Sequence, residues 1–208
     1  MKLSLAACVL FQIVSGSLYA NWTKLDSTEF SVEPPPARGT KAYKNDFKAL
    51  HALESQRKKA ECKEAEGMAV PTLETLFGPN TGNLSLDDIG HVNPLMEKVF
   101  NVGERITGDF KAQFKRVRPY NTDTTLRPCV QKPTGAKSYP SSHAALGTLG
   151  ACVLGHLFPS KSVSLEKAGK RVGELRVIAG VHHPSDVEAG QKLGIAICTT
   201  LMTDKTFN

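Results

Sequence analysis

The chain has 208 residues, 40% of them hydrophobic and 22% charged, enough for one domain with a substantial core and ordinary for a soluble protein. Its formal charge of +6 favours anionic partners such as phosphorylated small molecules or lipid headgroups. The cations are spread along the chain rather than clustered, which argues against a nucleic-acid polymer as partner.

The first twenty residues read as a secretory signal peptide. Met1-Lys2 precedes an apolar run from Leu3 to Val14, and Ser15-Gly-Ser-Leu-Tyr-Ala20 offers a cleavage site after Ala20, with Leu18 at the minus-three position. Cys8 then belongs to the discarded peptide. Past residue 20 no apolar run approaches the roughly 18 to 20 residues that a membrane-crossing helix needs, so no transmembrane anchor is expected. The mature chain is expected to be periplasmic or secreted. Four cysteines remain, Cys62, Cys129, Cys152 and Cys198, an even number in an oxidising compartment that suggests two disulfides. Cys152 and Cys198 both lie in apolar helical stretches that could pack together, which leaves Cys62 for Cys129. No two cysteines are spaced closely enough to suggest a metal site.

Residues 21–40 include Val32-Glu-Pro-Pro-Pro-Ala-Arg-Gly39, an extended proline-containing lead-in that cannot be helical. The remaining residues, 41–208, read as one all-α domain, a helical bundle. Phe47, Leu50 and Leu53 recur at helical spacing within one amphipathic stretch from Lys41 to Glu66. Gly78-Pro-Asn-Thr-Gly82 is a turn. Beyond Leu84-Ser-Leu-Asp-Asp88, Met96, Val99, Val102 and Ile106 mark a second helix. A Pro-, Thr- and Gly-rich loop covers Arg118 to Tyr139. Further helices follow His143, span Leu165 to Ile178, and begin near Pro184.

Three clusters on this scaffold combine cations, histidines and a carboxylate. Lys111 and Arg118 stand seven residues apart, so two helical turns would put both on one face; for this segment alone a solvated basic helix surface is the plainer reading. Pro140-Ser-Ser-His143 sits where a helix begins, and its free N–H groups and positive dipole end suit an anion, although a serine that merely caps the helix is the plainer reading. In Arg176-Val-Ile-Ala-Gly-Val-His182-His-Pro-Ser-Asp186, the carboxylate four residues after His182 can hold one ring nitrogen and leave the other free to attack.

Taken in order, K-x6-R-P, P-S-x-H and R-x5-H-x3-D resemble the signature of the phosphatidic acid phosphatase type 2 (PAP2) superfamily. Within it the chain is most similar to the class A bacterial acid phosphatases, which implies an all-α fold of the acid phosphatase and vanadium haloperoxidase type. The resemblance implies a metal-independent phosphomonoester hydrolase. Lys111, Arg118 and Arg176 would surround the phosphate oxygens, with Ser141 and the N–H groups of Ser142 and His143 completing the cradle. His182, oriented by Asp186, would attack phosphorus and form a phosphohistidine. His143 would protonate the departing oxygen and then activate water. No cofactor is expected, because three fixed cations do the charge neutralisation that a metal does elsewhere. With an ordinary imidazole pKa of about 6.5, His143 must start protonated, so an acidic optimum is expected. The resemblance leaves a homo-oligomer open.

Three positions depart from the family pattern. Ser142 replaces a glycine, Leu175 replaces a serine before Arg176, and His183 stands where tryptophan is usual. Spacing from Arg176 and Asp186 selects His182 rather than His183 as nucleophile. A serine hydrolase is disfavoured, because G-x-S-x-G is absent and a helical chain offers no strand before the serine. A vanadium haloperoxidase is disfavoured by size. A soluble lipid-phosphate phosphatase, of the phosphatidic acid or lipid A type and working at a membrane surface, remains the alternative, as does a phosphate-binding protein whose catalysis Ser142 has weakened.

Overall fold

The computed structural model describes residues 22–207; the proposed signal peptide and Cys8 lie outside them. Eight helices are built from this stretch: α1 (Lys41–Gln56), α2 (Lys59–Gly67), α3 (Leu73–Phe77), α4 (Leu86–Phe114), α5 (Pro119–Thr122), α6 (Ser142–Leu157), α7 (Ser162–Ile178) and α8 (Pro184–Thr203). Among the described residues there is no strand, only one isolated antiparallel bridge between Val117 and Lys137. None of the described helices is long and apolar enough to cross a membrane.

The apolar sequence of α6 explains its place at the centre. Leu146, Leu149, Val153 and Leu154 are fully buried, and the helix packs against α7, α8 and α4. Each such side chain contributes about 1.5 to 3 kcal/mol by leaving water. Small residues set how closely α8 lies on α6. A methyl group added at Gly190 would meet the Ser141 carbonyl oxygen at 2.4 Å, and one at Gly194 would meet the Ala145 oxygen at 2.4 Å. Glycine at these two positions therefore lets the start of α8 rest against the first turn of α6. Two disulfides tie the bundle. Cys152–Cys198 joins α6 to α8, and Cys62–Cys129 joins α2 to the loop after α5.

The helix boundaries differ from the sequence reading in three places. The stretch Lys41 to Glu66 is two helices, because Arg57 leaves the helical region at φ −60° and ψ 141° and its guanidinium donates to the carbonyls of Arg127 and Ile178. Tertiary acceptors at that point outweigh the continuous helical pattern. The loop from Arg118 to Tyr139 contains the short α5, started by Pro119 at its first position. Lys111 and Arg118 do not share a helix face: α4 ends at Phe114, Lys115 turns left-handed at φ 53°, and the chain continues extended. Arg118 N–H then donates to Ala136 O at 3.3 Å, and Ser138 N–H to Arg116 O at 2.8 Å. This bridge, and not helical periodicity, carries Arg118 back towards Lys111.

Candidate active site

The site forms where the end of α4, the starts of α6 and α8 and the end of α7 meet. Lys111, in the last turn of α4, donates from Nζ to the carbonyls of Pro140 and Ser138. Burial, and then the positive charge of Arg118, lowers its pKa to about 7, with Asp186 opposing. Arg118 is buried. It spends Nε on Gly135 O at 2.6 Å and Nη1 on Val181 O at 2.8 Å, and the same Nη1 lies 3.1 Å from Nε2 of His182. Arg176 comes from the last turn of α7 and is only 2% exposed. Its Nη1 donates to Ala65 O at 2.9 Å, whereas its buried Nε has no hydrogen-bond acceptor among the described residues. Burial and the charge of Arg118 lower its pKa to about 10, with Glu66 opposing. Lys111 and Arg176 both lie close enough to Arg118 for its charge to lower their pKa values, a concentration of positive charge that suits an anion.

The first turn of α6 supplies the rest of an anion cradle. Ser141 is the N-cap, its Oγ accepting from Ala144 N–H at 3.4 Å, and its own N–H donates to Asp186 O at 2.9 Å. The N–H groups of Ser142 and His143, at the first two helical positions, have no intrahelical acceptor. The serine side chain at 142 turns away to α4, where it lies 3.1 Å from Thr107 Oγ1. Thr107 in turn donates to Gly103 O at 2.9 Å. His143 Nε2 lies 3.0 Å from Met68 O and 3.2 Å from Ala69 O, so that nitrogen carries a proton and donates it. Burial and the charge of Arg176 push the pKa of His143 down to about 3, although the two carbonyls oppose the shift. The ordinary imidazole value assumed from sequence does not hold in this cationic site without a counter-charge.

His182 follows a turn that needs glycine. Gly180 has φ 76°, and the N–H groups of Val181 and His182 fold back onto Arg176 O, which fixes the spacing between the arginine and the histidine. Asp186 Oδ2 lies 3.3 Å from His182 Nδ1 and 3.0 Å from His183 Nδ1, and it accepts the His183 N–H at 2.9 Å. Burial alone would raise the Asp186 pKa, but the hydrogen bonds from His182 and His183 hold it well below the usual carboxylate range. Burial drives the His182 pKa well down, against the hydrogen bond to Asp186, and Arg118 and Lys111 add to the effect. His183, the neighbour competing for the same carboxylate, packs edge-on against Phe47 with ring centroids 5.3 Å apart. Only His182 has its second nitrogen against Arg118.

Every residue singled out from sequence thus converges on one place: Lys111, Arg118, Ser141, Ser142, His143, Arg176, His182 and Asp186. The sequence reading missed the carbonyls of Met68 and Ala69 on His143, the Thr107 partner of Ser142, and Arg116 beside Asp186. Arg116 lies within the first basic cluster, so the run Lys-Arg-Val-Arg held a signal, but the motif spacing singled out Arg118 and gave Arg116 no role. Carbonyl acceptors leave no trace in side-chain identity.

Comparison with known proteins agrees with this geometry. The non-specific acid phosphatase of Salmonella typhimurium is 29% identical over 189 residues, 87% of this chain and 76% of that protein. A crystal structure titled the first bacterial vanadium-dependent iodoperoxidase shares the fold, with a TM-score of 0.66 at 17% identity over 88% of this chain; the chain spans 56% of that protein. A transmembrane PAP2-type phosphatidylglycerolphosphate phosphatase from Bacillus subtilis matches with a TM-score of 0.52 and 20% identity, over 78% of this chain and 85% of that one. The model of the PAP2 superfamily matches residues 100–208, which hold every one of the converging residues, and the chain belongs to that superfamily.

Proposed function

We propose that the protein is an exported acid phosphatase that hydrolyses phosphate monoesters through a phosphohistidine. The observation that carries this reading is the unprotonated Nε2 of His182 set against Arg118, beside Lys111 and two buried arginines of which Arg176 keeps an unpartnered N–H. A phosphoryl group bound by Lys111, Arg118, Arg176 and the first turn of α6 has its charge neutralised where it grows in the transition state. His182 Nε2 donates its lone pair to phosphorus, the bond to the leaving oxygen breaks, and that oxygen takes a proton from His143. Water then attacks phosphorus as His143 removes its proton, and the pair of the P–N bond returns to Nε2. With Nε2–H of His143 held by Met68 and Ala69, its Nδ1 is the nitrogen left to exchange the proton.

Binding a dianion supplies the counter-charge that His143 lacks in the empty site, so the substrate itself raises the pKa of its acid. Export is supported by the two disulfides, which persist in an oxidising compartment. The similarity to the non-specific acid phosphatase of Salmonella favours a broad range of soluble monoesters over a membrane-surface lipid phosphate. The purified protein should release phosphate from p-nitrophenyl phosphate between pH 4 and 8 with chelator present, and turnover quenched in alkali should trap an alkali-stable, acid-labile phosphoenzyme. Activity lost on chelation, or tight phosphate binding with no turnover of any monoester, would sink this reading.

A further inference from the structure

Asp46 is a buried carboxylate on α1, far in sequence from every motif of the site and outside residues 100–208. Its Oδ2 accepts from Arg116 Nη2 at 2.8 Å and from the Ser185 hydroxyl at 2.5 Å, and its Oδ1 accepts the Ser185 N–H at 3.0 Å. Arg116 spends its other terminal nitrogen, Nη1, on Asp186 Oδ1 at 2.7 Å and on Ser185 Oγ at 2.7 Å. The path Asp46, Arg116, Asp186, His182 is therefore continuous and buried from end to end.

From this geometry we infer that Asp46 is a positioning residue for phosphoryl transfer, acting on His182 through Arg116 and Asp186. The inference rests on the phosphatase reading above. Both oxygens of Asp186 are committed, Oδ1 to Arg116 and Oδ2 to the two histidines, so the fork of Arg116 fixes the rotation of the carboxylate that orients the nucleophile. Arg116 by itself would cancel the charge of Asp186. Asp46 offsets that guanidinium and leaves one net negative charge behind the imidazole, which is what a ring made cationic by a phosphoryl group on Nε2 requires. Arg118 stands at the other ring nitrogen, Nε2, and the charge of Lys111 adds to it, so this negative charge is the balance against them. A buried ion pair is weak evidence of stability in itself; this one couples α1 to the first turn of α8 at the residue next to Asp186.

The test compares wild type with Asp46→Asn, which keeps an acceptor for Ser185 N–H and loses the charge facing Arg116. With p-nitrophenyl phosphate the variant should lose about tenfold in kcat, in keeping with one displaced group in a catalytic unit, while KM and the Kd of inorganic phosphate stay within about twofold. The acid limb of kcat/KM should move down by about half a unit or more, as expected for a unit charge acting through a few bonded groups. Asp46→Glu, which restores the charge, should return the limb towards wild type and serves also if Asp46→Asn folds poorly. An unchanged kcat and limb in Asp46→Asn overturns the inference, as does a parallel fall of kcat, phosphate affinity and melting temperature. If wild type turns over no monoester, the phosphatase reading fails on its own. The ¹⁵N titration of His182 in the phosphate complex then still decides the inference: a lower midpoint in Asp46→Asn supports it and an unshifted one overturns it.

Discussion

Nη1 of Arg118 lies 3.1 Å from Nε2 of His182, while the other ring nitrogen, Nδ1, lies 3.3 Å from Asp186 Oδ2. A guanidinium can only donate and an ionised carboxylate can only accept. The pair therefore dictates the tautomer: Nδ1 carries the proton and Nε2 carries the lone pair. His183 shares the same carboxylate oxygen, and its ring packs edge-on against Phe47.

His182→Ala should consequently lower kcat by about 10⁴-fold or more, the scale on which nucleophile deletions act, and abolish phosphoenzyme trapping. His183→Ala should still form the phosphoenzyme, with a destabilisation of about 1 to 3 kcal/mol for a truncated buried ring that bonds Asp186. Rapid-quench labelling of both variants checks this, and trapping that survives in His182→Ala but not in His183→Ala reverses the assignment.

The pH dependence of anion binding should follow Lys111, whose pKa burial and Arg118 lower to about 7 in the empty site. The sign follows from linkage. A bound anion raises that pKa, so below pH 7 the ammonium is already formed and Lys111 adds no pH dependence; above pH 7 the lysine must take up a proton and binding weakens by up to about a further tenfold per pH unit. Sulfate, a dianion throughout this range, isolates the effect from the ionisation of phosphate. The climb of its inhibition constant above pH 7 should be steeper in wild type than in Lys111→Met, which should bind weakly throughout, whereas the climb between pH 5 and 6.5, from proton uptake by His143, should be common to both. An acidic preference thus arises from the binding lysine as well as from His143.

The helical bundle and the ring of cations were legible because their signals are local. Apolar periodicity gives α4, α6, α7 and α8, and motif spacing gives Lys111, Arg118, His143, Arg176, His182 and Asp186. What escaped was set by groups distant in sequence. The break at Arg57 depends on carbonyls at Arg127 and Ile178, the approach of Arg118 depends on a bridge to residue 136, and the low pKa of His143 depends on its burial and then on the charge of Arg176. None of these is a property of a window of neighbouring residues. The pairing of Cys152 with Cys198 did come through, because both lie on apolar helices whose packing the sequence already implied.

Ser142 is the departure from the family pattern for which the structure gives a physical account. Its hydroxyl meets Thr107 at 3.1 Å and points to α4, so its side chain fastens the start of α6 to α4. Ser142→Gly should therefore cost about 1 kcal/mol for the lost hydrogen bond, read as a lower melting temperature, and change kcat/KM by less than about threefold. Thr107→Val should reproduce the stability loss. A tenfold gain in turnover for Ser142→Gly would show instead that the serine obstructs the cradle.

The closest backbone approach in the site makes the sharpest prediction about geometry. Gly190 brings α8 onto α6, and a Cβ there would sit 2.4 Å from the Ser141 carbonyl oxygen, with Ala144 Cβ at 3.1 Å. Because the obstacle is backbone, relief requires the two helices to separate, and overpacking of this kind costs about 1 to 3 kcal/mol. Separation would also stretch the Ser141 N–H bond to Asp186 O, now 2.9 Å, moving the cradle on α6 away from the nucleophile held by α8. Gly190→Ala should thus lose kcat by about 10²-fold, the penalty for an ångström of misplacement, at temperatures where circular dichroism shows the protein still folded. Gly82→Ala, also a glycine substitution but in the turn before α4, strained by its φ of 73° and with open space around it, should lower the melting temperature and leave kcat unchanged. Equal kinetic effects in the two variants would mean that helix separation does not set the alignment of His182 with its phosphate.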